Sequence, residues 1–369
     1  MGEGAGTEAA GEAAKTAAQT EMLANRLHKR RRHLRKWARR TGTGMYRLYD
    51  RDIPEIPLVL DWYEDAVSGA LYERPYEKDE TAERRWLSAM TDAVSAALEI
   101  PRDRIFLKER RRQRGKAQYG PLDRRHFFRD VQEGDLNFRV NLSDYLDTGL
   151  FPDRRLLRAQ IRQEAREKRV LNLFAYTCSF SVYAAAGGAA SVDSVDLSRA
   201  YLDWGMLNFE LNGFKGAEAA PRDLSAGYFV PDHAAGSARG ASCGRVAAAK
   251  KTGILPPFRF IRADILRFLP GAKQAALRWD LIILDPPAFS NSKKMRGVLD
   301  IRRDYRELVS LCLDLLAPGG NLFISVNARS FKLEGDAFPG MEITDLTESL
   351  RDEDFRGKRI PACWVMHKS

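Results

Sequence analysis

Five short strand-like runs, separated by helical stretches, constrain this chain more than any other feature of it. "RVLNLFAY", "ASVDSVD", "FRFIRAD", "DLIILD" and "NLFISVN" follow one another between Arg169 and Asn327. The first is almost continuously apolar, as a strand buried on both faces must be. Between them, "SFSVYAAAGGA", Arg199 to Asn212 and Arg302 to Leu316 read as helices, the second capped by Ser198 and stopped by "LNG". Strands alternating with helices predict an α/β, doubly wound domain over 145–369, with a mostly parallel sheet covered on both faces. One stretch breaks the rhythm. From Gly216, residues 216–257 are rich in Ala, Gly and charge with almost no apolar period, and read as a disordered insertion or an error in the gene model.

In an open parallel sheet the ligand lies beyond the carboxyl ends of the strands, where the strand order reverses. Here the second strand ends in Asp196, the third in Asp264 and the fourth in Asp285. An acid at the end of the second strand suits ribose hydroxyls, and Asp264 is placed to accept from an adenine amino group; each acid taken singly could equally cap the next helix. Together they predict an adenosine cofactor. The first loop, "FAYTCSFSVYAAAGG", has neither GxGxxG nor GxxxxGK[ST], so a pyrophosphate is disfavoured and S-adenosylmethionine fits better.

"LDPPAFSNSKK" follows the fourth strand directly. Proline has no N–H to continue strand pairing, so Pro286 and Pro287 expose the carbonyls of the turn beside the Asp285 carboxylate. With Phe289 to stack on a base, such a turn is suited to hold a flipped nucleobase against a methyl donor.

The residues before this domain have a different character. Residues 1–20 predict a disordered tail without a signal peptide's apolar centre. Residues 21–144 predict a basic helix and a small α+β domain, with a hairpin in "LVLDWYEDAVSGALYE", a helix from Thr81 to Leu98, and two strands about Glu133-Gly134. Leu23, Leu27, Leu34 and Trp37 stripe a segment in which nine residues from Arg26 to Arg40 are Lys or Arg. A second basic cluster lies in "KERRRQRGKAQYG", and the net charge is +10. Two such clusters predict an RNA-facing surface, with Arg30, Arg31, Arg35, Arg110, Arg111 and Arg112 as phosphate contacts, against the plainer reading of solvated charged helices. Four cysteines far apart predict neither a metal cluster nor disulfides, and a reduced cytoplasmic setting; no run approaches the roughly 18 apolar residues of a membrane span.

Over the length from Glu21 to Lys368, apart from the insertion, the chain resembles the guanine-N7 methyltransferase module of bacterial 23S ribosomal RNA, the C-terminal half of a bifunctional enzyme. "NRLHKRRRHLRKWARRTG", "YRLYDRDIPE", "NLSDYLDTGLFPDRR", "VDLSRAYLDWGMLNFELNG", "LDPPAFSNSKKM" and "CWVM" carry the likeness. It implies a Rossmann-like class I methyltransferase with a seven-stranded sheet, S-adenosylmethionine as donor, and large-subunit rRNA as partner. By position it implies cofactor contacts from Thr148, Gly149, Phe151, Asp153, Asn172, Phe174, Thr177, Cys178, Ser179, Asp196, Asp264 and Asp285. Asp285, Pro286, Pro287, Phe289 and Asn327 fall on the target-base side, and Lys293, Lys294 and Arg329 on the phosphate side. A separate guanine-N2 methyltransferase is an expected partner. The family usually has Gly where this chain has Cys178, whose side chain is expected to crowd the methionine moiety or restrict the backbone. It also has His before "CW", where this chain has Pro361-Ala362.

Methylation of cytosine C5 needs a cysteine thiolate beside the base, and the position expected to carry it is Val326. Guanine N7 has an in-plane lone pair and no proton, so its methylation needs alignment more than a base. The expected reaction is therefore N7 methylation; the alternatives are a cytosine-C5 enzyme and an RNA-binding protein of the same fold that has lost turnover.

Overall fold

The computed structural model describes residues 3–72, 79–110, 125–220, 256–291, 297–328 and 331–368. Two compact units form: Met1–Pro152 with Glu353–Lys358, and Asp153–Asp352 with Arg359–Ser369. The expected break after residue 144 falls inside the first unit. Asn141 N donates to Thr148 O at 2.9 Å, so the segment after the last strand of that unit is tied back to it.

The first unit runs α1 (Glu3–Thr41), β1 (Met45–Asp50), β2 (Leu58–Tyr63), β3 (Ala66–Tyr72), α2 (Glu80–Leu98), β4 (Ile105–Arg110), β5 (Phe128–Glu133) and β6 (Leu136–Asn141). β1, β2 and β3 are antiparallel neighbours, and β4 joins β3 in parallel after the crossover helix that a parallel pair requires. β5 and β6 form a separate hairpin. The expected disordered tail is instead the first half of α1. Its composition, low in large apolar residues, suggested disorder, but Ala, Glu, Lys and Gln are strong helix formers and the packed half extends the helix. Gln19 is buried and accepts from Trp86 Nε1 of α2 at 2.7 Å, and Leu23, Leu27, Leu34 and Trp37 enter the same core.

The second unit runs α3 (Arg155–Glu164), β7 (Arg169–Leu173), α4 (Ser179–Ala186), β8 (Ser191–Asp196), α5 (Arg199–Leu211), β9 (Ala217–Ala219), β10 (Phe258–Arg262), α6 (Ile265–Gln274), β11 (Trp279–Leu284), β12 (Phe289–Ser290), β13 (Leu299–Asp300), α7 (Ile301–Leu315), β14 (Leu316–Val326), β15 (Met341–Asp345) and β16 (Ala362–Lys368). The main sheet has the order β15-β16-β14-β11-β7-β8-β10-β9. Strands from β9 to β14 are parallel, while β16 is antiparallel to both β14 and β15. Among the described residues the sheet therefore has eight strands, where seven were expected. The additional one, β9, lies in the stretch read as an insertion; three residues of Ala-Glu-Ala carry no period to detect, yet they pair with Arg259–Ile261. Residues 221–255 lie outside the described residues.

Leu171, Leu173, Ile282, Leu284 and Ile324 fill the core of this sheet. It also holds a buried charge pair, Arg259 donating to both oxygens of Asp193 at 2.5 and 2.7 Å while Trp279 Nε1 adds a third bond at 2.8 Å. No helix among the described residues is long and apolar enough to cross a membrane.

Candidate active site

β7 is the point where the strand order reverses, since the chain lays β8 on one side of it and later β11 on the other. Leu284, Leu173 and Val195 are aligned across β11, β7 and β8, so the next residues, Asp285, Phe174 and Asp196, leave the sheet side by side. A crevice for a ligand is expected at this place in a doubly wound sheet.

The loop from β7 to α4 is strained. Phe174, Tyr176 and Cys178 have φ of +57°, +49° and +60°, the left-handed region that non-glycine residues seldom occupy. Backbone strain concentrated in one loop marks a segment held in place by its surroundings. Here Ala175 N bonds Val195 O at 3.0 Å, Tyr176 N bonds Asp196 Oδ2 at 2.9 Å, and the buried Asn208 of α5 donates to Thr177 O at 2.9 Å. Cys178 itself sits in the left-handed region. Its side chain is fully buried against α5, where Gly205 makes the room: a Cβ on Gly205 would lie 2.4 Å from Cys178 Sγ. Sequence reading foresaw a misfit at Cys178 but had no means of seeing the glycine that accommodates it.

Asp196 accepts from Tyr176 N and from Ser198 N, the latter at 2.8 Å. Burial raises its carboxyl to about 6, against the backbone bonds that lower it. With one bond on each oxygen, the carboxylate still has lone pairs for ribose hydroxyls. Asp264 caps α6 by accepting from Leu266 N at 3.1 Å, so the plainer alternative for that residue is present in the fold. Asn172, nearly inaccessible on β7, donates to Ser181 Oγ at 2.8 Å, while its Oδ1 has no hydrogen-bond partner among the described residues. Thr177 is buried and Ser179 opens α4. A strained loop without glycines, a ribose-type acceptor at the end of β8 and a spare buried acceptor beneath the loop fit a nucleoside carrying an ammonium better than a nucleotide phosphate.

Asp285 is not a free acceptor. Arg154, buried just ahead of α3, donates to it from Nε at 3.2 Å and Nη2 at 3.0 Å, and from Nη1 to Asp153 at 3.0 Å. Arg154 was missed because nothing in "FPDRR" marks which of its two buried arginines meets Asp285. Pro286 is buried, Pro287 half-buried, and Phe289 presents its ring to solvent at 47% exposure. β12 holds Phe289 opposite Asp300 of β13, which fixes the chain beyond the prolines. Asn327 is exposed directly after β14. Cys363, on β16 opposite Ser325, is buried near Asp285, and burial pushes its thiol up to about 12.

Thr148, Gly149 and Phe151 belong to the first unit, where Thr148 Oγ1 lies 2.8 Å from Tyr63 Oη. The expected phosphate contacts divide. Arg30 is spent inside the first unit on Leu48 O and Asp354 O, and Arg31 donates to Leu98 O at 2.8 Å with its guanidinium 4.1 Å over Trp62. Both residues serve the packing of that unit, because a long arginine on a packed helix finds terminal carbonyls and ring faces before solvent. Arg35 is exposed, as are Lys29, Arg32, Lys36, Arg39 and Arg40 on the same helix. Arg111, Arg112, Lys293, Lys294 and Arg329 lie outside the described residues, as does the side chain of Arg110.

A family model described as S-adenosylmethionine-dependent methyltransferase matches residues 44–220. The chain is 42% identical over 352 residues to ribosomal RNA large subunit methyltransferase K/L of Methylococcus capsulatus, covering 94% of this chain and 42% of that one. It is 39% identical over 348 residues to ribosomal RNA large subunit methyltransferase K of Neisseria meningitidis serogroup B, covering 94% of this chain and 87% of that one. The chain thus spans less than half of the K/L relative and most of the K relative. Among solved structures, a candidate methyltransferase complexed with SAH matches with TM-score 0.66 at 20% identity, over 94% of this chain and 81% of that one, a likeness of fold.

Proposed function

Because this chain belongs to the ribosomal RNA large subunit methyltransferase K family of S-adenosylmethionine-dependent methyltransferases, we propose that it methylates guanine N7 in large-subunit rRNA. S-adenosylmethionine is the cofactor, and when bound it supplies an electrophilic methyl carbon on a sulfonium. In this reading Asp196 accepts from the ribose hydroxyls, and Asp264 from the adenine amino group. Asn172, Phe174, Thr177, Cys178 and Ser179 form the floor and wall of the methionine side. Asp153, at the start of the second unit, completes the cofactor contacts of that unit.

The observation that carries the N7 assignment is the pairing of Asp285 with Arg154. Both oxygens of this carboxylate are committed to a buried guanidinium, so the turn is built to orient rather than to deprotonate. Guanine N7 needs nothing more, because its lone pair already lies in the ring plane. Pro286, Pro287 and Asn327 offer acceptors to the base edge, and Phe289 offers a face to stack on. Asp153 and Asp285 together carry one negative charge more than Arg154, which favours the cation formed at the base.

A cytosine-C5 reaction needs a thiolate, and the cysteines among the described residues, Cys178, Cys312 and Cys363, are all buried with thiols raised by desolvation. The loss-of-turnover reading rested on Cys178, whose sulfur is accommodated at Gly205. The rRNA phosphates would meet the exposed Lys29, Arg32, Arg35, Lys36, Arg39 and Arg40 of α1. A cytoplasmic setting and a separate guanine-N2 methyltransferase acting on the same RNA belong to this reading.

The test is incubation of the protein with labelled S-adenosylmethionine and unmodified rRNA, followed by nucleoside analysis and N7-specific strand cleavage. Label in 7-methylguanosine is expected. Label in 5-methylcytidine overturns the assignment, and absence of cofactor binding by calorimetry points to the RNA-binding protein without turnover.

A further inference from the structure

The β5–β6 hairpin carries exposed rings that methyl transfer does not use. His126 and Phe128 hold their rings parallel to within 5°, with centroids 6.5 Å apart. Both face solvent, the imidazole at 69% and Phe128 at 44% exposure. A single exposed phenylalanine would need no explanation. The way His126 is held does.

His126 has φ of +53°, a strained conformation for a residue with a side chain. Asp144, 2% exposed, fixes it twice: Oδ1 accepts from His126 N at 3.0 Å, and Oδ2 lies 2.8 Å from the ring Nδ1. The same carboxylate accepts from Ser143 Oγ at 2.6 Å and from Asn141 Nδ2 at 2.9 Å. Asn141 is the cross-strand partner of Phe128, so one buried network and one strand pair set both rings. A buried, fully bonded carboxylate is a costly way to hold a ring that only touches water. It makes sense if the ring must be in place before a ligand arrives.

The surroundings identify the ligand. The Arg125 guanidinium lies 4.9 Å over Phe106 and that of Arg129 4.2 Å over Phe127, and the Phe106 and Phe127 centroids are 4.6 Å apart. Asp65 pairs with both Arg104 and Arg129, so that trio keeps a net positive charge. Parallel exposed rings on a hairpin that also carries net positive charge suit a base with its phosphate, because every base has a π-face and stacking tolerates sequence.

We propose that His126 and Phe128 form a stacking platform for an unpaired base of single-stranded RNA, with the net positive trio of Arg104, Asp65 and Arg129 favouring the adjoining phosphate. The proposal rests on the reading of RNA as substrate and adds a base-recognition site within the first unit.

The test uses the full chain and a fluorescein-labelled unstructured oligoribonucleotide, read by anisotropy at several salt concentrations, with a duplex RNA of equal length alongside. Phe128→Leu and His126→Ala are expected to weaken single-strand binding about tenfold each, the scale of one lost stack, with the salt slope unchanged. Phe128→Trp is expected to bind as tightly as the parent, and Asp144→Asn to weaken binding in the same direction as His126→Ala. S-adenosylmethionine affinity serves as the folding control. Parent-like binding by Phe128→Leu and His126→Ala overturns the platform, as does an equal loss on duplex RNA. Failure of the unsubstituted chain to bind any RNA overturns the RNA reading itself, which separates the two failures.

Discussion

Arg154 grips both oxygens of Asp285, with N···O distances of 3.2 and 3.0 Å, at the turn where β11 ends. Burial works against the charged guanidinium, but Asp153 and Asp285 together hold its pKa above the ordinary value. Removing one member of such a pair leaves a buried charge without compensation, which typically costs about 3–5 kcal/mol. Arg154→Met is expected to lower stability by about that much in urea unfolding and to depress methyl transfer. Arg154→Met combined with Asp285→Asn is expected to recover part of the stability, because one of the two carboxylates left without the guanidinium is then uncharged. Equal losses in the single and double variants would show that Arg154 acts through packing alone.

Cys178 and Gly205 form a second interlocking pair, this time steric. A methyl group at position 205 would fall 2.4 Å from Cys178 Sγ and 2.9 Å from its Cβ, closer than such contacts allow. Gly205→Ala is therefore expected to destabilise the second unit by about 1–3 kcal/mol, as overpacking does, and to weaken cofactor binding by displacing the loop. Cys178→Gly should restore both in the double variant, since it removes the clash and the left-handed strain together. Additive effects in thermal unfolding and calorimetry would rule out the interlock.

Asp196 gives the site a pH dependence whose sign can be worked out. Its folded pKa of about 6 exceeds the ordinary 3.8, so the native apoprotein binds the proton more tightly than the unfolded chain. This group's contribution to apoprotein stability is full below about 4 and is lost as pH rises through about 6. Ribose hydroxyls require the opposite, ionised state. S-adenosylmethionine affinity is thus expected to fall as pH drops below about 6, approaching tenfold per unit. Asp196→Asn should bind weakly at all pH values and lose this dependence, as calorimetry between pH 5 and 8 can check.

The strands, the reversal of their order and the acids at their ends were legible because burial on both faces leaves an apolar run and a strand must stop somewhere. The β2–β3 hairpin, α2 and the Ser198 cap were readable for similar local reasons. What escaped depends on partners distant in sequence. Arg154 and Asp285 are 131 residues apart, and nothing local distinguishes Arg154 from Arg155. The exposed and the structural arginines of α1 are likewise equal in the sequence; only the carbonyls of Leu48 and Leu98 separate Arg30 and Arg31 from Arg35. The helical tail was misread because composition describes the isolated segment, whereas Gln19 and Leu23 tie it to a core.

That division within α1 can be measured. Lys36→Gln and Arg40→Gln, at exposed positions, are expected to leave unfolding midpoints unchanged while weakening RNA binding. Each should also reduce the slope of log affinity against log salt by about 0.7–0.9, one phosphate contact. Arg31→Gln removes the bond to Leu98 O and the stack on Trp62, so it should lower stability by about 1–2 kcal/mol. An unchanged salt slope for Lys36→Gln and Arg40→Gln would move the phosphate path off this helix.

Cys363 offers the sharpest separation of the two chemistries. Among the described cysteines it is the one whose thiol feels the charges of Arg154, Asp285 and Asp153. Of the cysteines among the described residues, it is the one a C5 mechanism would draw on. Yet the thiol is 4% exposed and, with burial raising it to about 12, almost none is thiolate at neutral pH. N7 transfer passes through no covalent adduct, so Cys363→Ala is expected to keep methylation within about threefold of the parent, the change owing to repacking of β16. Loss of turnover by about a thousandfold or more, with S-adenosylmethionine affinity and unfolding midpoint intact, would instead make Cys363 a nucleophile and the product a C5-methylated pyrimidine.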